Sequence, residues 1–256
     1  MKIFVCVKHV PDTAASIKLE SDTAFDDSQI KFVANPYDEY GLEEAVTLVE
    51  KHGGEVVVVT LAKPEAVATI RGALAMGADR GILVETDEQF TEPGLSARIL
   101  KAVIEEDGPG DIIFTGKGSV DTESFQTQYR LARLLNLPVV NEVSALKIDG
   151  DRALAERETG GGEKQVLQMS LPCVIGATKG LNEPRYPKFP DIMKAKKKPV
   201  KQIRLSELDP GESKPGAILE KLEPVPERSG AKMLEGSVND QVDELIRILK
   251  EEEKVI

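Results

Sequence analysis

The stretch Asp111 to Asn136, DIIFTGKGSVDTESFQTQYRLARLLN, passes from an apolar segment through a glycine turn into a helix without a gap. Ile112, Ile113 and Phe114 have the unbroken apolar character of a strand buried on both faces, as parallel strands are. Ser124 to Leu135 reads as the helix. Between them, Gly116 and Gly118 permit a tight turn and close approach of backbone to a ligand. Ser119, Thr122, Ser124 and Thr127 supply hydroxyls, and the helix start supplies unpaired N–H groups. An anion needs those parts. The spacing is neither GxGxxG nor GxxxxGK[ST], so neither the dinucleotide fingerprint nor the Walker loop applies. The same residues equally fit an ordinary strand-to-helix turn capped by Ser124.

Upstream the pattern repeats. Ile3 to Val7 is continuously apolar and is stopped by Lys8, His9, Val10, Pro11 and Asp12. Ligands of doubly wound sheets sit at such strand ends, so Cys6 to Asp12 is a candidate second wall of the pocket, with His9 alternatively a solvated loop residue. Residues 13 to 34 are irregular, and their pieces Ile17 to Leu19 and Ile30 to Val33 are expected to pair as a small hairpin. Asn35-Pro36 then opens a helix. Asp38, Glu39, Glu43 and Glu44 suit its positive end, Leu42, Ala45, Val46 and Val49 form its apolar stripe, and His52-Gly53-Gly54 ends it. Strand Val56 to Leu61, helix Pro64 to Met76 closed by Gly77, strand Gly81 to Val84 and helix Leu95 to Ile104 complete the series. Four successive strand-then-helix units predict an α/β fold, a doubly wound and mainly parallel sheet with right-handed crossovers. After Leu137 come short strands at Val139 to Val143, Leu146 to Ile148, Ala153 to Glu156, Gln165 to Met169 and Cys173 to Ile175. The Asp149-Gly150 turn and the Gly160-Gly161-Gly162 break predict a small antiparallel extension.

A chain of 256 residues fits one large α/β domain with an appendage. With 33 basic against 44 acidic side chains, a net charge of −11, a general nucleic-acid or anionic-membrane surface is disfavoured. No apolar run approaches the roughly 20 residues of a membrane span, and no signal-peptide pattern opens the chain. A soluble protein is expected, without nucleic-acid partners or membrane insertion, and cytoplasmic if bacterial or archaeal. Cys6 and Cys173 lie in apolar runs and read as buried thiols of a reducing compartment. Neither a catalytic nor a metal-binding set is expected: the two histidines are His9 and His52, and Asp121 has no visible partner. Parallel sheets with Gly-Ser loops also serve ATP-using hydrolases and adenylating enzymes, which remains an alternative, as does a nucleotide-sensing module without redox partners.

Beyond Gly180 prolines punctuate the chain at 184, 187, 190, 199, 210, 215, 224 and 226, and no long apolar stripe returns until Val238. Such a tail cannot bury a core of its own. Ser237 with Asp240 resembles a capping box, and Val238, Val242, Leu245, Ile246 and Leu249 share one helix face. That helix suits docking on a partner subunit or back on its own domain.

Four motifs in order carry a family likeness: the opening VKHVPD, NPYDEYGLEEAV from Asn35, ALAMGADR from Ala73, and LNEPRYPKFPDIMKAKKK from Leu181 to Lys198. With these the chain resembles the beta subunit of electron transfer flavoproteins. The resemblance implies a Rossmann-like, adenine-nucleotide-binding α/β domain over 1–180, a partner recognition loop and basic segment over 181–199, and a C-terminal arm and helix against an alpha subunit over 200–256. It implies a heterodimer whose alpha subunit carries FAD, taking electrons from flavin-containing dehydrogenases to a membrane or other acceptor. The beta subunit then holds a structural AMP in the ordinary group, or a second FAD in the electron-bifurcating group. The nucleotide is expected against Cys6, Asn35, Pro36, Tyr37, Asp38 and Leu61, and against Gly116, Lys117, Gly118, Ser119, Val120, Asp121, Thr122, Glu123, Ser124, Phe125, Gln126 and Thr127. In the recognition loop of Leu181, Asn182, Glu183, Pro184, Arg185 and Tyr186, the leucine is expected to enter an apolar pocket of the dehydrogenase, with Asn182, Glu183 and Arg185 steadying it. An exposed leucine on a proline-stiffened segment is an anchor with little ordering cost. The basic run Lys194 to Lys201 would steer partners, or serve only as a solvated loop. Gly118 stands where many relatives have Gln, and Phe125 where many have Asn. The run from Thr122 to Thr127 lacks the DTAQVG typical of the bifurcating group, which favours AMP over a second FAD.

Overall fold

The computed structural model describes residues 1–211, 216–226 and 230–256, so Pro215 lies outside the described residues. Residues Met1–Leu222 form one compact unit and Glu223–Ile256 another.

In the first unit the continuous apolar runs become strands and the amphipathic stretches become helices. The order is β1 (Lys2–Cys6), β2 (His9–Pro11), β3 (Phe32–Ala34), α1 (Pro36–His52), β4 (Glu55–Ala62), α2 (Val67–Met76), β5 (Arg80–Glu85), α3 (Pro93–Asp107), β6 (Ile112–Gly116), α4 (Thr127–Leu135), β7 (Val139–Asp149), β8 (Arg152–Glu158), β9 (Lys164–Ser170), β10 (Cys173–Ala177), α5 (Phe189–Ala195) and β11 (Val200–Arg204). Nine strands form one sheet in the order β11-β5-β4-β1-β6-β10-β7-β8-β9. From β11 to β7 every pair is parallel, and β8 and β9 add an antiparallel extension. The expected doubly wound α/β sheet with a small antiparallel extension is therefore the fold.

Alternation along each strand divides the core in two. Ile3, Val5 and Phe114 face α1 and α2, where they meet Leu42, Ile70 and Leu74. Phe4, Val57 and Ile113 face the opposite way, towards Ile99, Val103 and Leu131 of α3 and α4. Each such side chain, fully buried, is worth about 1.5–3 kcal/mol, which is why the strands tolerate almost no polar residue.

Several local expectations are corrected. The helix after β6 starts at Thr127 with Gln126 at its N-cap, not at Ser124. Glu123 and Phe125 hold left-handed backbone, φ 45° and 49°, which breaks the helical path through Ser124. Residues Phe32–Ala34 pair antiparallel with His9–Pro11, and Leu19 instead bridges Phe25. The pieces 139–143 and 146–148 are one strand, β7, with an irregularity between Val143 and Ala145. Cys173 to Ile175 do not extend the antiparallel part: β10 lies between β6 and β7, parallel to both. Val200–Arg204, placed by sequence at the head of an arm, is the edge strand beside β5.

The second unit contains α6 (Val238–Arg247), followed by a π-helical turn at Ile248–Glu252. The capping box is present, with Ser237 and Asp240 each accepting the other's backbone N–H. Among the described residues no helix is long and apolar enough to cross a membrane.

Candidate functional site

The crossover from β1 through α1 leads to β4 on one side of β1, whereas the crossover from β5 through α3 lands β6 on the other. The gap between the carboxyl ends of β1 and β6 is thus the topological switch point, where loops diverge and leave a crevice. Lys8, Asn35 and Asp38 meet the loop Gly116 to Asp121 here.

Asn35 and Asp38, both buried at the start of α1, organise the crevice. Asn35 does not cap its own helix. Its amide reaches across to the loop after β6, donating from Nδ2 to the Gly118 carbonyl at 2.9 Å and accepting the Val120 N–H on Oδ1 at 3.1 Å. Asp38 accepts the N–H groups of Gly116 and Lys8, each at 2.7 Å. Burial pushes its pKa up to about 7, against the downward pull of those N–H donors and Asn35. Pro36 sets the first helical position, and the Lys117 ammonium lies 5.0 Å from the centre of the Tyr37 ring.

Asp121, solitary in the sequence, pairs with Lys8: Nζ is 2.7 Å from Oδ2 and also contacts Ser119 Oγ at 3.3 Å and Thr122 Oγ1 at 3.4 Å. Two of the four hydroxyls proposed for an anion are therefore turned to a lysine whose charge a carboxylate already neutralises. Ser124, Thr127 and the N–H groups at the start of α4 remain for an anion. Phe125 folds its ring over Gly118, where a Cβ would come within 2.5 Å of Cδ1, so any side chain there obliges the ring to shift. Thr122, Glu123, Phe125 and Gln126 are exposed.

Cys6 ends β1 in the core, and burial first, then the Asp38 charge, raises its thiol pKa to about 12, so it stays protonated. Leu61 lies at the end of the neighbouring strand, two residues past the Val59 that pairs with Cys6. His9 is half-buried and not a solvated loop residue: Nδ1 is 2.7 Å from Thr69 Oγ1, and the ring stacks on Phe32 at 4.8 Å. Burial lowers its pKa, opposed by Glu65.

The second group of candidates lies along the flank of α1. Asn182 donates to the Tyr40 carbonyl and to Glu44, each at 3.0 Å. Arg185 is gripped by Glu43 at 2.9 Å and by Glu50 at 2.6 Å, and Glu43 also accepts the Arg185 N–H. Burial pushes Glu43 upward, but the Arg185 hydrogen bonds outweigh it and hold the carboxyl below its usual range. Asn182 and Arg185 thus fix the loop, while Glu183 is exposed and Pro184 half-buried. Leu181 is not the exposed anchor expected: it is half-buried against the α1–α2 core. The exposed apolar side chains are Tyr186 at 96% and Phe189 at 74%, with Ile192 and Met193 following on α5.

The basic run is partly structural. Lys198 donates to the Leu74 and Ala78 carbonyls at the end of α2, and Lys201 pairs with Glu106 at 2.7 Å. Lys196 and Lys197 are exposed without an ion-pair partner among the described residues.

Sequence reasoning missed Lys8 as the partner of Asp121, and it missed Gln128 and Asn141, whose amides meet at the Lys117 carbonyl. A lysine directly after a buried strand was a usable signal. A glutamine and an asparagine inside a helix and a strand gave none, because their burial appears only with the tertiary fold.

The family profile described as "Electron transfer flavoprotein domain" matches residues 22–208. "Electron transfer flavoprotein subunit beta" of Bacillus subtilis (strain 168) is 38% identical over 260 residues, covering all of both chains. "Electron transfer flavoprotein subunit beta, mitochondrial" of Arabidopsis thaliana is 39% identical over 260 residues with the same coverage. A subunit beta of Syntrophomonas wolfei is 44% identical over 201 residues, 78% of each chain.

Proposed function

This chain belongs to the beta-subunit family of electron transfer flavoproteins, and from that premise we propose that it is the nucleotide-holding half of a heterodimeric electron carrier. It binds AMP at the β1–β6 switch point and joins an alpha subunit. Together they hold an FAD that supplies the electron-carrying chemistry when bound. The chain does no substrate chemistry of its own.

The observation that carries the reading is the convergence of Asn35, Asp38 and Lys8 on the loop Gly116 to Asp121, which makes three separate elements one rim at the switch point. The donor set fits a phosphomonoester. N–H groups and the hydroxyls of Ser124 and Thr127 at the entry to α4 would hold the phosphate, and Cys6 and Leu61 give the crevice an apolar wall. Lys8 acts by fixing the loop, since Asp121 already occupies its charge.

The loop from Leu181 to Tyr186, pinned by Asn182 and Arg185, presents Tyr186 and Phe189 to flavin-containing dehydrogenases. Rigid, pre-placed aromatic groups suit a carrier, because they give recognition at low ordering cost and allow fast release. The apolar face of α6, with Val238, Val242, Leu245 and Ile246 exposed, docks on the alpha subunit.

The test is to co-express the chain with an alpha subunit, denature the purified complex and count nucleotides by chromatography. One FAD and one AMP per heterodimer is the expected result. Two FAD and no AMP would replace AMP by a second flavin, as in the bifurcating group, and one FAD with no further nucleotide would remove the proposal.

A further inference from the structure

We propose that Gln128 and Asn141, which lie outside the contiguous nucleotide motif, are positioning residues of its loop: together they lock the Lys117 carbonyl inward and so turn the following N–H, that of Gly118, outward as an anion donor.

The Lys117 backbone is held through both of the peptide groups that flank its Cα. Its N–H donates to the Ala177 carbonyl at 2.8 Å, continuing the pairing of β6 with β10. Its carbonyl accepts Gln128 Nε2 at 2.8 Å and Asn141 Nδ2 at 3.0 Å. Both residues are 2% exposed, and they come from different elements, α4 and β7. The site for Asn141 is cut to shape, because a Cβ at Gly176 would fall 1.8 Å from its Oδ1.

Peptide planarity converts this clamp into function. In a trans peptide the carbonyl and the following N–H point in opposite directions within one rigid plane. Drawing the Lys117 carbonyl towards two buried amides therefore aims the Gly118 N–H away from them. Asn35 repeats the device one residue later: its Nδ2 holds the Gly118 carbonyl, so the Ser119 N–H turns away from Asn35. The Gly118 and Ser119 N–H groups have no acceptor among the described residues, whereas those of Lys117 and Val120 do. Two donors without protein acceptors, bracketed by two anchored ones, are available to a phosphate oxygen. Uncharged amides suit this position, since a buried cation there would stand unpaired and a hydroxyl could not span the distance.

The inference rests on the nucleotide reading above, and the test separates the two. In the full-length chain, alone and co-purified with an alpha subunit, Asn141→Ser removes one donor without added bulk, and Gln128→Met removes the other at similar volume. Each variant is expected to raise the AMP dissociation constant about tenfold, the scale of one buried hydrogen bond left unmade. Each should also speed backbone hydrogen exchange at Lys117 and Val120, while the thermal midpoint stays within a few degrees of the parent. Exchange and AMP affinity both unchanged in a folded variant would overturn the clamp, and if one variant fails to fold the other, on a different element, decides. Parent protein that binds no AMP, with variants that still accelerate exchange, would discard the nucleotide reading and leave the clamp standing.

Discussion

The carboxylate of Asp38, in the first turn of α1, accepts the backbone N–H of Gly116 at 2.7 Å, and the two residues stand 78 apart in the chain. Its second oxygen takes the Lys8 N–H at 2.7 Å, so one side chain ties together the ends of both strands that flank the switch point. An amide cannot replace it, because Asp38→Asn would aim an NH₂ group at one of the two N–H donors. That variant is expected to lose about 1–3 kcal/mol of unfolding free energy, the cost of leaving a buried donor unsatisfied. Urea denaturation reads it, and an unchanged midpoint would contradict the role.

The same residue sets a pH dependence. Burial raises the Asp38 pKa to about 7 in the folded chain, so the folded state holds this proton more tightly than the unfolded state does. The resulting stabilisation is complete below the unfolded value of about 4 and is lost as pH rises to about 7. Asn does not titrate. The stability of the wild type relative to Asp38→Asn should therefore fall between pH 4 and 7 and level off above, and a gap independent of pH across that window would refute the assignment.

Why so much of the scaffold was legible, and part of the site was not, follows from the residues. Ile3 to Val7, Val56 to Leu61 and Ile112 to Phe114 are apolar on both faces, which a central parallel strand requires and little else permits. Val200–Arg204, VKQIR, escaped notice because an edge strand buries only one face, and here Ile203 is its buried residue, next to a lysine run and a proline. The place of β10 between β6 and β7 is a choice of neighbour, which no local pattern encodes. Ser124 has the chemistry of an N-cap, yet the left-handed residues on either side deny it the geometry. Asn35 and Asp38 could be singled out by motif, but the atoms they hold, in a loop some 80 residues away, appear only once the sheet brings β1 beside β6.

The pair Gly118 and Phe125 makes a reciprocal prediction. A methyl at 118 would meet the Phe125 ring at 2.5 Å, so Gly118→Ala should destabilise the loop by about 1–3 kcal/mol, the usual cost of overpacking. Adding Phe125→Asn removes the obstacle, and the double variant should recover most of the loss in a double-mutant cycle. Additive effects would mean that the ring does not impose the glycine.

Leu181 and Phe189 should separate stability from recognition. Leu181→Ala removes a side chain packed on the α1–α2 core, so it should lower the thermal midpoint as well as the rate of electron transfer from a dehydrogenase. Phe189→Ala removes an exposed ring and should slow transfer while leaving the midpoint and flavin content alone. Equal transfer rates for Phe189→Ala and parent would end the docking role of that face. Acid should release the loop as a whole. Arg185 holds the Glu43 pKa below its ordinary value, so the stability of this pair is present above about 4.5 and is lost as pH falls through the depressed folded value.

Helix α6 is capped and amphipathic. Its cap and the ion pairs of Arg247 with Glu244 and Glu252 hold the helix locally, but Val238, Val242, Leu245 and Ile246 remain exposed on one side. Val238 is 75% exposed and the other three are 40–48% exposed, an apolar stripe that suits burial against a partner. Leu245→Asp places a charge in the middle of that stripe, where docking would have to strip it of water, a cost beyond the lost apolar burial. The variant should keep the urea transition of the 1–222 unit and its AMP content, yet fail to co-elute with the alpha subunit in size-exclusion chromatography. Co-elution at the wild-type position would show that the heterodimer is held elsewhere.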